Sequence, residues 1–336
     1  MAEIGIIGAG SWGIALAWLL HNNGHNVQVW SILEDEIQML KTKHEHVDKL
    51  PGVKLPEDMK FTTDLKEAVE GKEILVLAVP SPFTRSTAKS MKEYVKEGQI
   101  IVNVAKGIEE ATLMTLTQII EQEIPCATVA ALSGPSHAEE VGKGLPTTCV
   151  VGTHKKETAE RLQVIFMSDV FRVYTSPDLI GMEVGASLKN VIALAAGIAD
   201  GLGCGDNTKA ALITRGIAEI SRLGIAMGGK AETFAGLTGI GDLIVTCASV
   251  HSRNRRAGVL IGKGYTMQQA MEEVKMVVEG VYSTKAAVAL GKKYNISLPI
   301  IEQVNEVLFN GKKATEALKD LMIRDKTIEH SSLAWE

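Results

Sequence analysis

Apolar positions in the first half of the chain come in short continuous runs bounded by turn residues, the pattern of strands buried on both faces of a sheet. The runs are Glu3 to Ile7 (EIGII), His25 to Trp30, Glu73 to Val79 (EILVLAV), Gln99 to Val104 (QIIVNV) and Thr128 to Leu132. Between them, helical periods predict helices at Ile14 to Leu20, Asp64 to Glu70, Ser86 to Lys96 and Ala111 to Glu121. Strands alternating with helices predict a right-handed, mostly parallel, doubly wound α/β sheet, with ligands at the carboxyl ends of its strands.

From about Gly181 the texture changes to Ala-rich, Gly-punctuated segments of helical period. Helices are expected near 182–201, 207–227, 231–235, 242–246, 254–262, 266–274, 281–294, 300–309 and 315–321. The pattern therefore predicts two domains, 1–180 and 181–336, joined by a short turn near 174–181 rather than a flexible linker. A chain of 336 residues is long enough for two cores.

The first apolar run leads straight into Gly8-Ala9-Gly10-Ser11-Trp12-Gly13 and then into the apolar helix. Strand, G-x-G-x-x-G and helix together are the dinucleotide-binding turn of a Rossmann-type sheet. Gly8 permits the tight turn, Gly10 lets backbone approach a pyrophosphate, and Gly13 lets helix and sheet pack closely. The N–H groups of the helix N-terminus would hold the pyrophosphate.

A net charge of −5, with no basic arm, gives no reason to expect nucleic acid as the main ligand. Cys126, Cys149, Cys204 and Cys247 lie far apart with no CxxC pair, as expected of reduced thiols. His44 and His46 sit in the polar run Lys41 to Lys49, which reads as a solvated loop, and no metal site is expected. The N-terminus begins at once with a strand, so no targeting segment is expected and a cytoplasmic protein is predicted. The apolar stretch Val184 to Gly203 carries Lys189, Asn190 and Asp200, and reads as a buried helix, too polar to span a bilayer comfortably.

Several residues could carry chemistry. Lys189 lies in an apolar helical stretch where desolvation would lower its pKa toward neutrality, unless it snorkels at a helix edge. Lys106 follows a strand at its carboxyl end, where ligands bind or where a charge simply ends the strand. Asp242 and Thr246 fall at i and i+4 on one helical face. Asp242 could cap the helix or hold a lysine by a charge-assisted bond. Ser252-Arg253-Asn254-Arg255-Arg256 offers guanidinium donors at a helix start, suited to phosphate, though a solvated arginine face would look the same. Gly134, Ser136, Ala138 and Glu139 fall in a turn feeding a helix; its hydroxyls and backbone N–H groups could line a cleft, although Ser136 and Glu139 would look the same as ordinary capping residues.

The segments GAGSWG, VNVAKGIE, LSGPSHAEEV, GASLKNVIALAAGIADGLGCGDNTKAALITRG, GLTGIGDLIVTC and SRNRR resemble, in that order, bacterial NAD(P)-dependent glycerol-3-phosphate dehydrogenases over essentially the whole chain. The resemblance implies Lys189 as proton donor and acceptor, with Lys106, Asp242 and Thr246 beside it. It implies substrate contacts from Gly134, Ser136, Ser252, Arg253 and Asn254 as well. Cofactor contacts would come from Gly8, Gly10, Ser11, Trp12, Gly13, Lys106, Ala138, Arg253 and Glu279. NAD or NADP is the implied cofactor, a phosphorylated triose the substrate, and glycerophospholipid biosynthesis the role; a homodimer is compatible with it. Ser31 and Ile32, at the end of the second strand, provide neither an acid for an NAD ribose nor a cation for the 2′-phosphate of NADP, so the preference stays open. Competing readings are a two-domain dehydrogenase of a hydroxy acid or ketopantoate, and a non-catalytic NAD(P)-binding sensor.

Overall fold

The structure, a computed structural model, describes residues 1–326, 328 and 329; residues 327 and 330–336, at the end of the predicted second domain, lie outside the described residues. Eight strands form one sheet: β1 (Glu3–Ile7), β2 (Asn26–Trp30), β3 (Lys60–Thr62), β4 (Ile74–Leu77), β5 (Ile100–Asn103), β6 (Thr128–Ser133), β7 (Thr147–Thr153) and β8 (Phe171–Ser176). Their order is β3-β2-β1-β4-β5-β6-β7-β8, parallel throughout except for β6 against β7. Strand order reverses between β1 and β4, paired from Ile4↔Ile74 to Ile7↔Leu77, and a crevice opens at such a switch point.

The sheet carries helices α1 (Ser11–Asn22), α2 (Glu34–Lys43), α3 (Leu65–Val69), α4 (Thr84–Met91), α5 (Leu116–Glu123), α6 (Ala138–Val141) and α7 (Lys156–Phe166). The second half is helical: α8 (Leu179–Gly201), α9 (Asp206–Ala226), α10 (Ala231–Phe234), α11 (Asp242–Ala248), α12 (Arg253–Gly262), α13 (Met267–Val274), α14 (Glu279–Tyr294), α15 (Pro299–Phe309) and α16 (Ala314–Met322). The mostly parallel sheet and the helical second half are those the periodicity predicts, but β3, β7, β8, α2 and α7 are additions to it, and three predicted segments differ. The expected helix at 111–121 starts only at Leu116, because Thr115 and Gln118 form a capping box there and Leu113 turns through positive φ. The helix expected over 86–96 spans Thr84–Met91. The polar run 41–49 is no solvated loop: it includes the end of α2, and His46 is buried with its Nε2 3.5 Å from Glu36.

Helix α8 is the axis of the second half, buried along nearly its whole length. By length and hydropathy it could cross a membrane, despite its polar residues, but here the other helices cover it. Helix α12 packs against it through two pairs of glycines: a Cβ on Gly258 would meet Gly197 Cα at 2.9 Å, and one on Gly201 would meet Gly262 Cα at 2.9 Å. Backbone thus lies directly on backbone, and Asn254 at the start of α12 reaches Asn190 of α8 at 2.9 Å.

Candidate active site

Lys189, eleven residues into α8, is 4% exposed. Its Nζ donates to Asp242 Oδ1 and to Thr246 Oγ1, each at 2.6 Å, from the first turns of α11. The other oxygen of Asp242 accepts from Lys106 Nζ at 2.6 Å, and Lys106 also donates to Gly134 O at 3.1 Å. Asp242 is therefore no helix cap; two ammonium groups, from the sheet and from α8, share its buried carboxylate. Burial strips water from Lys189 and pulls its pKa down to about 7; Asp242 opposes this and Lys106 adds to it. At Asp242 burial pushes upward, but the two lysines prevail and hold it below the usual carboxylate range.

These groups open on a cleft of about 580 Å³ between the carboxyl edge of the sheet and the helical half. Gly10, Ser11 and Trp12 line one side, where no side chain caps α1. Gly8 holds φ +120°, a Cβ on Gly13 would strike Gly8 O, and a Cβ on Gly10 would stand in open space. The residues thus fit a dinucleotide: the turn is closed by Gly8 and Gly13, and Gly10 leaves the room a pyrophosphate needs. Ser136, Ala138, Ser252, Arg253, Asn254 and Glu279 line the same cleft; Gly134 lies just behind it. Among the described residues no group of three or more His, Cys, Asp or Glu is arranged to hold a metal.

Two family models match the chain, the NAD-dependent glycerol-3-phosphate dehydrogenase N-terminus over residues 3–159 and its C-terminus over 178–319. The chain belongs to this dehydrogenase family. It is 69% identical over 336 residues to a glycerol-3-phosphate dehydrogenase (NAD(P)+) of Agathobacter rectalis, covering 100% of both chains. To the enzyme of the same name in Fusobacterium nucleatum it is 64% identical, over 99% of this chain and 100% of that one. The glycerol-3-phosphate dehydrogenase structure from Coxiella burnetii superposes with a TM-score of 0.93 at 36% identity, covering 96% of this chain and 99% of that one. A ketopantoate reductase from Ralstonia eutropha, at 17% identity and a TM-score of 0.60, shares the fold alone.

For a chain of this dehydrogenase family the arginine-rich segment divides its labour. Of its three arginines only Arg253 lines the cleft; Arg255 pairs with Asp200 at 2.7 Å and Arg256 is exposed. Ser252 caps α12, accepting from Arg255 N at 3.2 Å. Asn254 is largely committed: its Nδ2 donates to Asn190 Oδ1 at 2.9 Å and its Oδ1 accepts from Gly280 N at 2.8 Å. Glu279 accepts from Ser81 N at 3.1 Å and from its hydroxyl. At the end of β2, Ser31 donates to Glu36 Oε2 at 2.6 Å, and Glu36 also holds Lys49, which lines the cleft. Lys49 was not legible as a site residue, because nothing local marks it off from the surrounding polar run.

Proposed function

We propose that Lys189 is the proton donor and acceptor of an NAD(P)-dependent enzyme that interconverts dihydroxyacetone phosphate and sn-glycerol 3-phosphate. The observation that carries this is a buried ammonium, close to neutral pKa, opening on the same cleft as the dinucleotide-binding turn. When bound, NAD(P)H supplies the hydride that adds to C2 of the ketone.

Everything else falls to the chain. Lys189 gives its proton to the oxygen on C2 as that oxygen gains charge, and takes it back when the alcohol is oxidised. Asp242 and Thr246 aim the Nζ, and Lys106 adds positive potential at the same oxygen. Arg253 grips the phosphate with its forked guanidinium, helped by Ser252 and by the amide hydrogen Asn254 has left. Gly134 and Ser136 complete the substrate side. Gly8, Gly10, Ser11, Trp12 and Gly13 hold the pyrophosphate, while Ala138, Glu279, Lys106 and Arg253 border the nicotinamide end. A non-catalytic sensor would have no use for a desolvated lysine held by a buried acid. Residues 1–180 supply the dinucleotide turn together with Lys106, Gly134 and Ser136, and residues 181–336 supply Lys189, Asp242, Thr246, the 252–254 segment and Glu279, so both parts meet at one cleft.

We further place the enzyme in the cytosol, where its four free cysteines stay reduced, and propose that it works as a homodimer. Ile225 and Ile244, each about half exposed, offer the helical half apolar surface for a second copy. Sedimentation decides that point. The test of the reaction is NAD(P)H absorbance with dihydroxyacetone phosphate. Lys189→Ala should lose about 10²–10⁴-fold in turnover while cofactor binding, read by fluorescence, stays within twofold. More than half the wild-type rate in the variant rules out the role of Lys189.

A further inference from the structure

Lys106 and Lys189 reach Asp242 from opposite halves of the molecule and repel one another, so their own charges do not fix the gap they share. Six residues before Lys189, or about 9 Å along α8, stands a second buried acid, Glu183, only 5% exposed. Its carboxylate accepts from Thr117 N at 2.9 Å and from the Thr117 hydroxyl, both in the first turn of α5. It also accepts from Asn103 Nδ2 at 3.4 Å.

Asn103 is the last residue of β5, three before Lys106. Its side chain folds over the intervening loop, accepting from Ala105 N at 3.2 Å and donating to Ala105 O at 3.1 Å. One carboxylate on the Lys189 helix is thus tied to the loop that ends at Lys106 and to the helix behind it. A buried acid satisfied by several donors is held firmly, since losing any of them leaves polar groups unpaired out of water.

We propose that Glu183 is a positioning residue for the reaction: it braces the β5–Lys106 segment and α5 against α8, and so sets the distance between Lys106 and Lys189. The inference rests on the reading of Lys189 as proton donor. The groups facing Lys189 are Asp242, Thr246 and Cys247 from α11, Lys106 from the loop after β5 and His137 before α6. Of these, Lys106 is the one carried by the segment that Glu183 braces. Loosening the brace lets Lys106 recede, which removes a like charge from Lys189 and leaves Asp242 to it alone. Both changes favour the ammonium.

The experiment compares Glu183→Ala, Glu183→Gln, Thr117→Val and Lys189→Ala in the full-length enzyme, measuring melting temperature, NADH affinity, kcat, KM and the alkaline limb of kcat/KM for ketone reduction. Glu183→Ala should lower kcat about tenfold or more, because misplacing reacting groups by about 1 Å costs up to about 10²-fold. NADH affinity should stay within twofold, and the alkaline limb should move up by at least about half a pH unit. Glu183→Gln keeps an oxygen for Thr117 N and should recover most of kcat. Thr117→Val, which removes one arm while keeping the backbone N–H, should move the limb the same way by less; it serves if Glu183→Ala does not fold. Variants that melt lower yet keep the wild-type limb and kcat below their melting point overturn the proposal and leave Glu183 a packing role. Should Lys189→Ala keep its turnover, the reading of Lys189 fails instead, whatever the Glu183 variants do.

Discussion

Lys106→Met tests the electrostatics of the site most directly. Lys106 and Lys189 each lie 2.6 Å from a different oxygen of Asp242. With the two ammonium nitrogens roughly 5 Å apart and an effective dielectric constant of about 20, their repulsion is about 3 kcal/mol, equivalent to about two pH units on Lys189. The Lys106 side chain is 17% exposed, so water screens part of this and about one to two units is the expected shift. The sign is fixed by the chemistry. Reduction of the ketone needs Lys189 as the ammonium, so kcat/KM should fall as pH rises through about 7 in the wild type. Oxidation of the alcohol needs the neutral amine and should rise over the same range. Methionine keeps the apolar stem and removes the charge; the limb for reduction should then move to about pH 8–9 even though the rate itself drops. The assay is the initial rate of NADH oxidation across pH 5.5–9.5 at subsaturating substrate. A limb that stays near 7, or moves down, refutes the account in which burial and Lys106 together hold the lysine near neutrality.

Arg253→Lys keeps the charge and loses the fork, so kcat/KM should fall about tenfold or more for dihydroxyacetone phosphate and much less for unphosphorylated dihydroxyacetone; equal losses would remove Arg253 from the phosphate. Burial alone would raise the Glu36 carboxyl, but His46, Lys49 and Ser31 outweigh it and bring it from 4.5 to about 2. Its contribution is complete above about pH 4.5 and disappears as pH falls through about 2. Glu36→Gln should therefore cost about 2 kcal/mol at pH 7, after allowance for solvent screening, and almost nothing at pH 2, which denaturant melts at the two pH values would show. Ile32 is 77% exposed at the end of β2, and no acid or cation stands at Ser31 or Ile32. The ratio of kcat/KM for NADH and NADPH should lie within about tenfold, and Ile32→Arg should move it toward NADPH. A wild-type preference above about a hundredfold would point to another residue, with Lys49 the first to replace.

Read along the chain, the local features were legible because local physics sets them. The glycine turn needs only Gly8, Gly10 and Gly13 in their spacing, and central strands buried on both faces announce themselves as apolar runs. The edge strands β3 and β8 are not announced by apolar runs, since β3 is three residues long and β8 alternates buried and exposed positions; β7 is threonine-rich, and α2 and α7 are each largely polar. The capping box at Thr115 and Gln118 was a readable signal for the true start of α5. Lys106, Lys189 and Asp242 could each be picked out as candidates, together with the family resemblance. Their meeting could not be read, since the bonds to Asp242 join residues 136 and 53 positions apart. Pattern and spacing, apart from the resemblance that singles out Arg253, could not separate it from Arg255; nor could the sequence place Glu36 behind Lys49 or tie Glu183 to Asn103. Short-range pattern fixes which elements form and which residue types they carry. Which charges share a carboxylate, and which are buried deeply enough to lose their usual pKa, depends on how elements distant in sequence pack together and exclude water.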